Sequence, residues 1–235
     1  MELPDRSAES AVPTLQTLAM HRPRPGLVRM TSMLTSVTLE PSWDEEAIAT
    51  WLHFPGCSRV DYTVRRYDAE RGILELDLTP GPESTIMNKW LESVEIGSRT
   101  RLAQPDVGYM PNFADGRRVL IFADESSISA VRAILTQWPA GVPGTMWLDT
   151  RDPRHIADLP VVAGVGVVSF HVDMGFDPLV TAARRVELDS SATVWAAGET
   201  RRMDEIRATC LAAGLPESDT RVFGYWADNA GQRRS

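Results

Sequence analysis

The sequence predicts two units in series: a small antiparallel β-barrel, then an α/β unit built on a parallel sheet. Three observations predict it. The length of 235 residues fits one large domain or two small ones at about 150 residues per domain. Up to residue 81 the chain runs in short apolar stretches, several β-branched, broken by Pro and Gly, as strands of a closed antiparallel sheet do. After Gly116 the rhythm changes to a continuous apolar run followed by apolar residues at helical spacing, the mark of a βα unit.

Residues 1–25 mix Pro, Ser, Arg and acidic residues without periodicity and are expected to form a flexible arm. The barrel is expected over 26–112. Its strands are Leu27–Met30, Ser36–Leu39, Ile48–Phe54, Val60–Tyr67 and Ile73–Leu78, separated by Pro41, Pro55-Gly56, Arg71-Gly72 and Pro80-Gly81. Asp44–Thr50 also reads as a helical turn. The α/β unit is expected over 113–235, with the boundary inside the aperiodic stretch Gly108–Gly116. Val119–Ala123 reads as a strand buried on both faces. Ser126–Trp138 places Ile128, Val131, Ile134 and Leu135 on one helical face. Thr145–Leu148, Val165–Val172, Thr193–Ala197 and Arg221–Tyr225 supply further strands, and Thr200–Ala213 a helix stopped by Gly214.

Composition narrows the function. With 43% hydrophobic residues the chain has material for a core, which excludes global disorder. Twenty-four Lys and Arg against 32 Asp and Glu give a net charge of −8; nucleic acid, which requires a basic face, is excluded as main partner. Only Cys57 and Cys210 occur, too few for a disulfide framework or a four-cysteine metal site. No metal ligand set is expected, and redox chemistry would need an organic cofactor or a metal carried by the substrate. No apolar run approaches the roughly 20 residues of a membrane helix. Glu2, Asp5 and Glu9 stand where a secretory leader would be basic. A cytoplasmic location is expected; the oligomeric state is left open.

Five segments can carry chemistry. In Arg59–Arg65 a strand projects Arg59, Asp61, Thr63 and Arg65 to one face and Val60, Tyr62 and Val64 to the other. Two guanidinium forks suit a pyrophosphate, Tyr62 offers a plane for a flavin ring, and Thr63 offers a hydroxyl for a ring nitrogen; a solvated face screened by Asp61 and Asp68 is the alternative. Pro80–Ser84 leads into a helix through Trp90, where Gly81 and Ser84 can border a phosphate or simply make a turn and a cap. Asp124, Glu125 and Ser126 end the first buried strand, at the edge where parallel sheets bind ligands. Ser126 is expected to cap the helix that follows. Trp195–Glu199 repeats the arrangement, Gly198 leaving room for a nucleotide and Glu199 able to bond a hydroxyl. Gly224-Tyr225-Trp226 places aromatics in the core or over a ring.

In this order, across roughly 27–228, the segments resemble the siderophore-interacting protein family, ferric-siderophore reductases of the ferredoxin-reductase-like superfamily. Tyr62-Thr63-Val64-Arg65 fits the end of its R-x-Y-T-x-R motif, Asp124-Glu125 with Ala130 its G-D-E-T-A-L-P-A segment, Trp195–Glu199 its W-x-A-G-E and Gly224-Tyr225-Trp226 its G-Y-W. The resemblance implies FAD held by Tyr62, Thr63 and Arg65, with Arg59, Gly81 and Ser84 supporting it. Tyr62 and Thr63 would be the catalytic contacts to the ring. Asp124, Glu125, Ser126, Gly198, Glu199 and Trp226 would border NADPH or NADH. It implies a ferric siderophore as substrate, its iron reduced by electrons from the nicotinamide donor through FAD. The sequence departs from the motif where its leading arginine falls on Val60, and where G-P-A-S reads Gly81-Pro82-Glu83-Ser84. A relative that binds a siderophore, nucleotide or protein without FAD is the alternative implied by that altered loop.

Overall fold

The computed structural model describes residues 14–24, 27–35, 49–53, 60–78, 85–102, 109–113, 116–171 and 173–227, and only the backbone at 24, 49–53, 60–63, 85–87 and 102. Six strands close the barrel: β1 (Thr14–Arg24), β2 (Leu27–Thr35), β3 (Ala49–His53), β4 (Val60–Asp68), β5 (Ile73–Leu78) and β6 (Arg99–Leu102), in the order β1-β2-β5-β4-β3-β6. Alternation fills it. Val28 and Met30 of β2, Val64 of β4, and Leu74, Leu76 and Leu78 of β5 point inward with Leu15, and Leu91 of helix α1 (Thr85–Ser93) packs against them.

The arm expected over 1–25 is corrected here: 14–24 is a barrel strand, paired with both β2 and β6. Its apolar residues Leu15 and Met20 are separated by a register shift between Thr17 and Ala19, and a bulged strand has no clean period of two to read. β6 was missed for a similar reason, since Arg99-Thr100-Arg101 carries no apolar signal. The expected strand Ser36–Leu39 lies outside the described residues.

The second unit is a parallel sheet in the order β11-β10-β7-β8-β9. Its strands are β7 (Arg118–Asp124), β8 (Gly144–Asp149), β9 (Val165–Phe170), β10 (Ala192–Glu199) and β11 (Thr220–Trp226). β7 is buried on both faces, as its apolar run predicts. Val119, Ile121 and Ala123 meet helix α2 (Ile128–Thr136) on one side. Leu120 and Phe122 meet α4 (Pro178–Arg185) and α5 (Thr200–Ala212) on the other. The short α3 (Arg154–Ala157) follows β8.

Residues 109–113 lie within the stretch expected to hold the boundary. Tyr109 is buried in the α/β core, stacked on Phe223 at 4.3 Å between centroids. Its carbonyl accepts the Trp195 indole N–H at 2.8 Å, and the Asn112 carbonyl accepts the Thr193 hydroxyl at 3.0 Å. Residues 109–113 therefore pack with the second unit, and an aperiodic stretch concealed this because its packing runs through single aromatic and carbonyl contacts.

Candidate functional site

The order of the sheet reverses at β7: the chain builds outward through β8 and β9 on one side and returns through β10 and β11 on the other. Ligands of such sheets bind outside the carboxyl ends at the reversal. Asp124 closes β7 there, and its carboxylate is wholly enclosed. Its Oδ1 accepts from the Ser126 N–H at 2.9 Å and the Ser126 hydroxyl at 2.5 Å. Its Oδ2 accepts from the Glu199 N–H at 2.8 Å and the Trp226 indole at 3.2 Å. Burial pushes the Asp124 pKa up, and the Ser126 and Glu199 hydrogen bonds oppose the rise.

Beyond it, at the ends of β8 and β9, lies a cavity of about 720 Å³ whose walls include Asp149, Arg151, His171, Asp173, Asp177 and Arg202, within the size range of small-molecule sites. Arg202 organises it. Its Nε lies 2.6 Å from Asp177, its Nη1 3.0 Å from Asp149 and 4.0 Å from Asp124. Burial alone would lower the Arg202 pKa, but these carboxylates outweigh it and raise it. Asp149 is shifted up, by burial first, with Arg202 pulling the other way. His171 is oriented by its Nδ1–H donating to the Thr150 carbonyl at 2.9 Å, while Nε2 faces the Ser169 hydroxyl at 3.0 Å. Asp177 also caps α4, accepting from the Leu179 and Val180 N–H groups.

A second charged group joins the two units. Asp77 on β5, 2% exposed, receives Arg29 of β2 at 2.7 and 3.0 Å and Arg65 of β4 at 3.1 Å. The Ser129 hydroxyl of α2 lies 3.4 Å from the same carboxylate. Arg132 of α2 belongs to this neighbourhood, its pKa lowered by burial and then by the charge of Arg65. The Arg29 pKa is raised, chiefly by its hydrogen bond to Asp77.

Residues 116–229 match the siderophore-interacting protein family model. The ferric acinetobactin reductase of Acinetobacter baumannii is 28% identical over 222 residues, covering 90% of this chain and 77% of the relative. A solved siderophore-interacting protein from Acinetobacter baumannii superposes with a TM-score of 0.80 at 27% identity, over 92% of this chain and 91% of the other. Over its second unit the chain resembles the siderophore-interacting protein family. Its architecture is the ferredoxin-reductase type, shared with the ferredoxin reductase of carbazole 1,9a-dioxygenase at a TM-score of 0.67 and 15% identity, over 91% of this chain and 69% of that one.

The predicted site residues divide into three groups. Arg59, Gly81 and Ser84 lie outside the described residues, and Tyr62 and Thr63 are described as backbone only, in β4 opposite Thr50 and Ala49 of β3. Arg65 is placed on the barrel surface. It is the unpaired residue of a bulge against β5, since Val64 pairs with Leu76 and Arg66 with Glu75. Asp124, Glu125, Ser126, Gly198, Glu199 and Trp226 come together at the carboxyl edge of β7, β10 and β11.

Within that last group each residue has local partners. A Cβ on Gly198 would run into the Asp124 carboxylate, so the absence of a side chain there lets Asp124 seat against the end of β10. Glu199, expected to bond a hydroxyl, caps α5 through the Arg201 and Arg202 N–H groups. Ser126, expected as the helix cap, donates to Asp124, which is itself the cap. Glu125 reaches sideways to the Arg151 N–H at 3.1 Å. The Trp226 indole donates to Asp124 and its carbonyl accepts the Thr200 hydroxyl at 2.8 Å. Asp124 and Glu199 each accept from backbone donors at a strand-to-helix turn, as helix starts demand.

Sequence reasoning missed Asp149, Arg151, His171, Asp173, Asp177 and Arg202. The signal for two of them was present: Asp149 and His171 immediately follow the apolar parts of β8 and β9, where the carboxyl-end rule points. Arg202 carried none, being one of many arginines whose partners are distant in sequence.

Proposed function

We propose that this chain is a ferric-siderophore reductase, taking electrons from a nicotinamide nucleotide through FAD to siderophore-bound Fe(III) and releasing Fe(II). The observation that carries the reading is the ligand-sized cavity at the carboxyl edge of a ferredoxin-reductase-type sheet, in a chain 28% identical to a ferric acinetobactin reductase. FAD, when bound, accepts a hydride from the nucleotide and passes its electrons on singly.

The described residues fit that cofactor at Arg65. Its Nη1 is held by Asp77 at 3.1 Å while Nε stands 3.9 Å from Glu75, beyond hydrogen-bond range. Donors on the fork thus stay available for a pyrophosphate. Asp77 fixes Arg65 and Arg29 together, and its approach to Ser129 of α2 is one of the contacts between the barrel and the α/β unit. Tyr62 and Thr63 would meet the flavin ring, and Arg59, Gly81 and Ser84 would support its phosphates. At the other edge the cavity walls hold the nucleotide, while Asp124, Glu125, Ser126, Gly198, Glu199 and Trp226 shape the turns beneath it. Reduction frees the metal because hard oxygen donors hold Fe(II) less firmly than Fe(III). The donor nucleotide implies a cytoplasmic reaction. Among the described residues no helix is long and apolar enough to cross a membrane.

Purified protein supplied with FAD, a nicotinamide donor and a ferric siderophore should bind the flavin with fluorescence quenching and form Fe(II), read by a ferrous chromophore, only when all components are present. Failure to take up FAD together with no Fe(II) would overturn the reading. Uptake of the ferric siderophore without electron transfer would favour the non-redox alternative.

A further inference from the structure

We propose that the cavity at the ends of β8 and β9 selects NADH against NADPH, with Asp149, Asp173 and Asp177 rejecting the 2′-phosphate. This rests on the reductase reading above and specifies its electron donor. In parallel-sheet dinucleotide sites the acidic side chain at the end of the second strand accepts the 2′-hydroxyl of the adenosine ribose, whereas an available arginine receives a 2′-phosphate. Asp149 is the last residue of β8, the second strand of this sheet, and lines the cavity. Its side chain is 26% exposed, which leaves an oxygen for a ribose hydroxyl.

Of the two guanidinium groups in the wall, the part-buried one is committed. Arg202 is clamped between Asp177 at 2.6 Å and Asp149 at 3.0 Å, so turning it toward a phosphate would strip both carboxylates of their partner inside the same cavity. Arg151 stands at the exposed rim, and its charge already acts on Asp149. Asp173, also in the wall, adds a third carboxylate. A phosphate dianion would thus enter beside three carboxylates and two guanidinium groups, one of which is doubly engaged. A hydroxyl entering at the same place loses nothing, because it donates to a carboxylate instead of opposing it.

The test has two arms on the full chain. With FAD and a ferric siderophore, kcat/KM for NADH should exceed that for NADPH by about tenfold or more, since an opposed like charge costs several kcal/mol at a contact. Independently of electron transfer, calorimetry should show AMP binding more tightly than 2′,5′-ADP. Asp149→Ser should narrow both gaps several-fold, mainly by lowering KM for NADPH; a merely structural role would weaken both donors alike. Asp173→Asn, at an exposed position, serves if the first variant does not fold. Equal use of the donors, an NADPH preference, or unchanged ratios in both variants would overturn the proposal. Should neither donor support reduction, the reductase reading falls, and calorimetry still decides: AMP preferred sustains the selectivity, while equal or absent binding ends it.

Discussion

Replacing Gly198 by Ala tests the organisation of the carboxyl edge most directly. The added methyl would stand 2.4 Å from Asp124 Oδ2 and 2.5 Å from its Cγ, well inside van der Waals contact. Asp124 cannot swing aside without cost, because its two oxygens serve the Ser126 N–H and hydroxyl, the Glu199 N–H and the Trp226 indole. Two penalties follow. Overpacking costs about 1–3 kcal/mol, and each buried donor left without its acceptor about 1–3 kcal/mol more. A total of about 2–5 kcal/mol corresponds, at 2–4 °C per kcal/mol for a chain of this size, to a fall in Tm of roughly 10 °C. Urea and thermal unfolding of G198A and the parent protein measure it. The cause is isolated by a double-mutant cycle with Asp124→Ala: once the carboxylate is gone the methyl enters vacated space, and the coupling should reach at least about 1 kcal/mol. A G198A protein within about 0.5 kcal/mol of the parent, the range of an ordinary surface change, or strictly additive losses, would refute the argument that this glycine exists to seat Asp124.

Two further outcomes follow from the charge layout. Asp77→Ala should destabilise the protein by about 1–3 kcal/mol, the range for hydrogen bonds to charged groups, and weaken FAD binding as well, because Arg65 loses the contact that holds it; equilibrium unfolding and flavin titration read the two effects. Cys210, buried under α5 with its thiol pushed up from 9.0 to about 11, should be inert to aromatic disulfide reagents until the protein unfolds. Between pH 9 and 11 the unfolded thiol ionises while the folded one stays protonated, so stability present below pH 9 is lost as pH rises, by roughly 3 kcal/mol at most. Cys210→Ala should flatten that alkaline limb in urea titrations.

The α/β unit was legible because its signals are local. β7 is apolar at every core position from Val119 to Ala123, and α2 repeats at helical spacing, so a short window suffices to read each. The barrel was read only where inward positions alternate cleanly, as in Leu74, Leu76 and Leu78. β1, broken by register shifts, passed for an arm, and β6 for a loop. At the site, the sequence picked out the strand ends and left their polar residues divided between capping and ligands. Asp124, Ser126, Gly198 and Glu199 satisfy one another across two strands separated by more than seventy positions. A pattern along one strand cannot show this, because the partner that consumes each hydrogen bond is supplied by the sheet order.

That sheet order also explains why four carboxylates near one guanidinium can play different parts. Asp124, at the central strand, is buried with its two oxygens engaged by Ser126, Glu199 and Trp226; it holds the turns in place. Asp149, one strand outward, and Asp177, at the start of α4, meet Arg202 from the cavity side and stay partly exposed at 26% and 33%; Asp173 is exposed in the wall. Because Arg202 follows the turn that Glu199 caps, and that turn is pinned by Asp124 through the Glu199 N–H, the buried carboxylate sets where the guanidinium stands. The guanidinium in turn sets how much negative charge the cavity shows. Selectivity toward a phosphate is therefore written at two depths. A change at Asp149 alters it locally, whereas a change at Asp124 or Gly198 alters it by moving Arg202, and only the second kind should also lower stability.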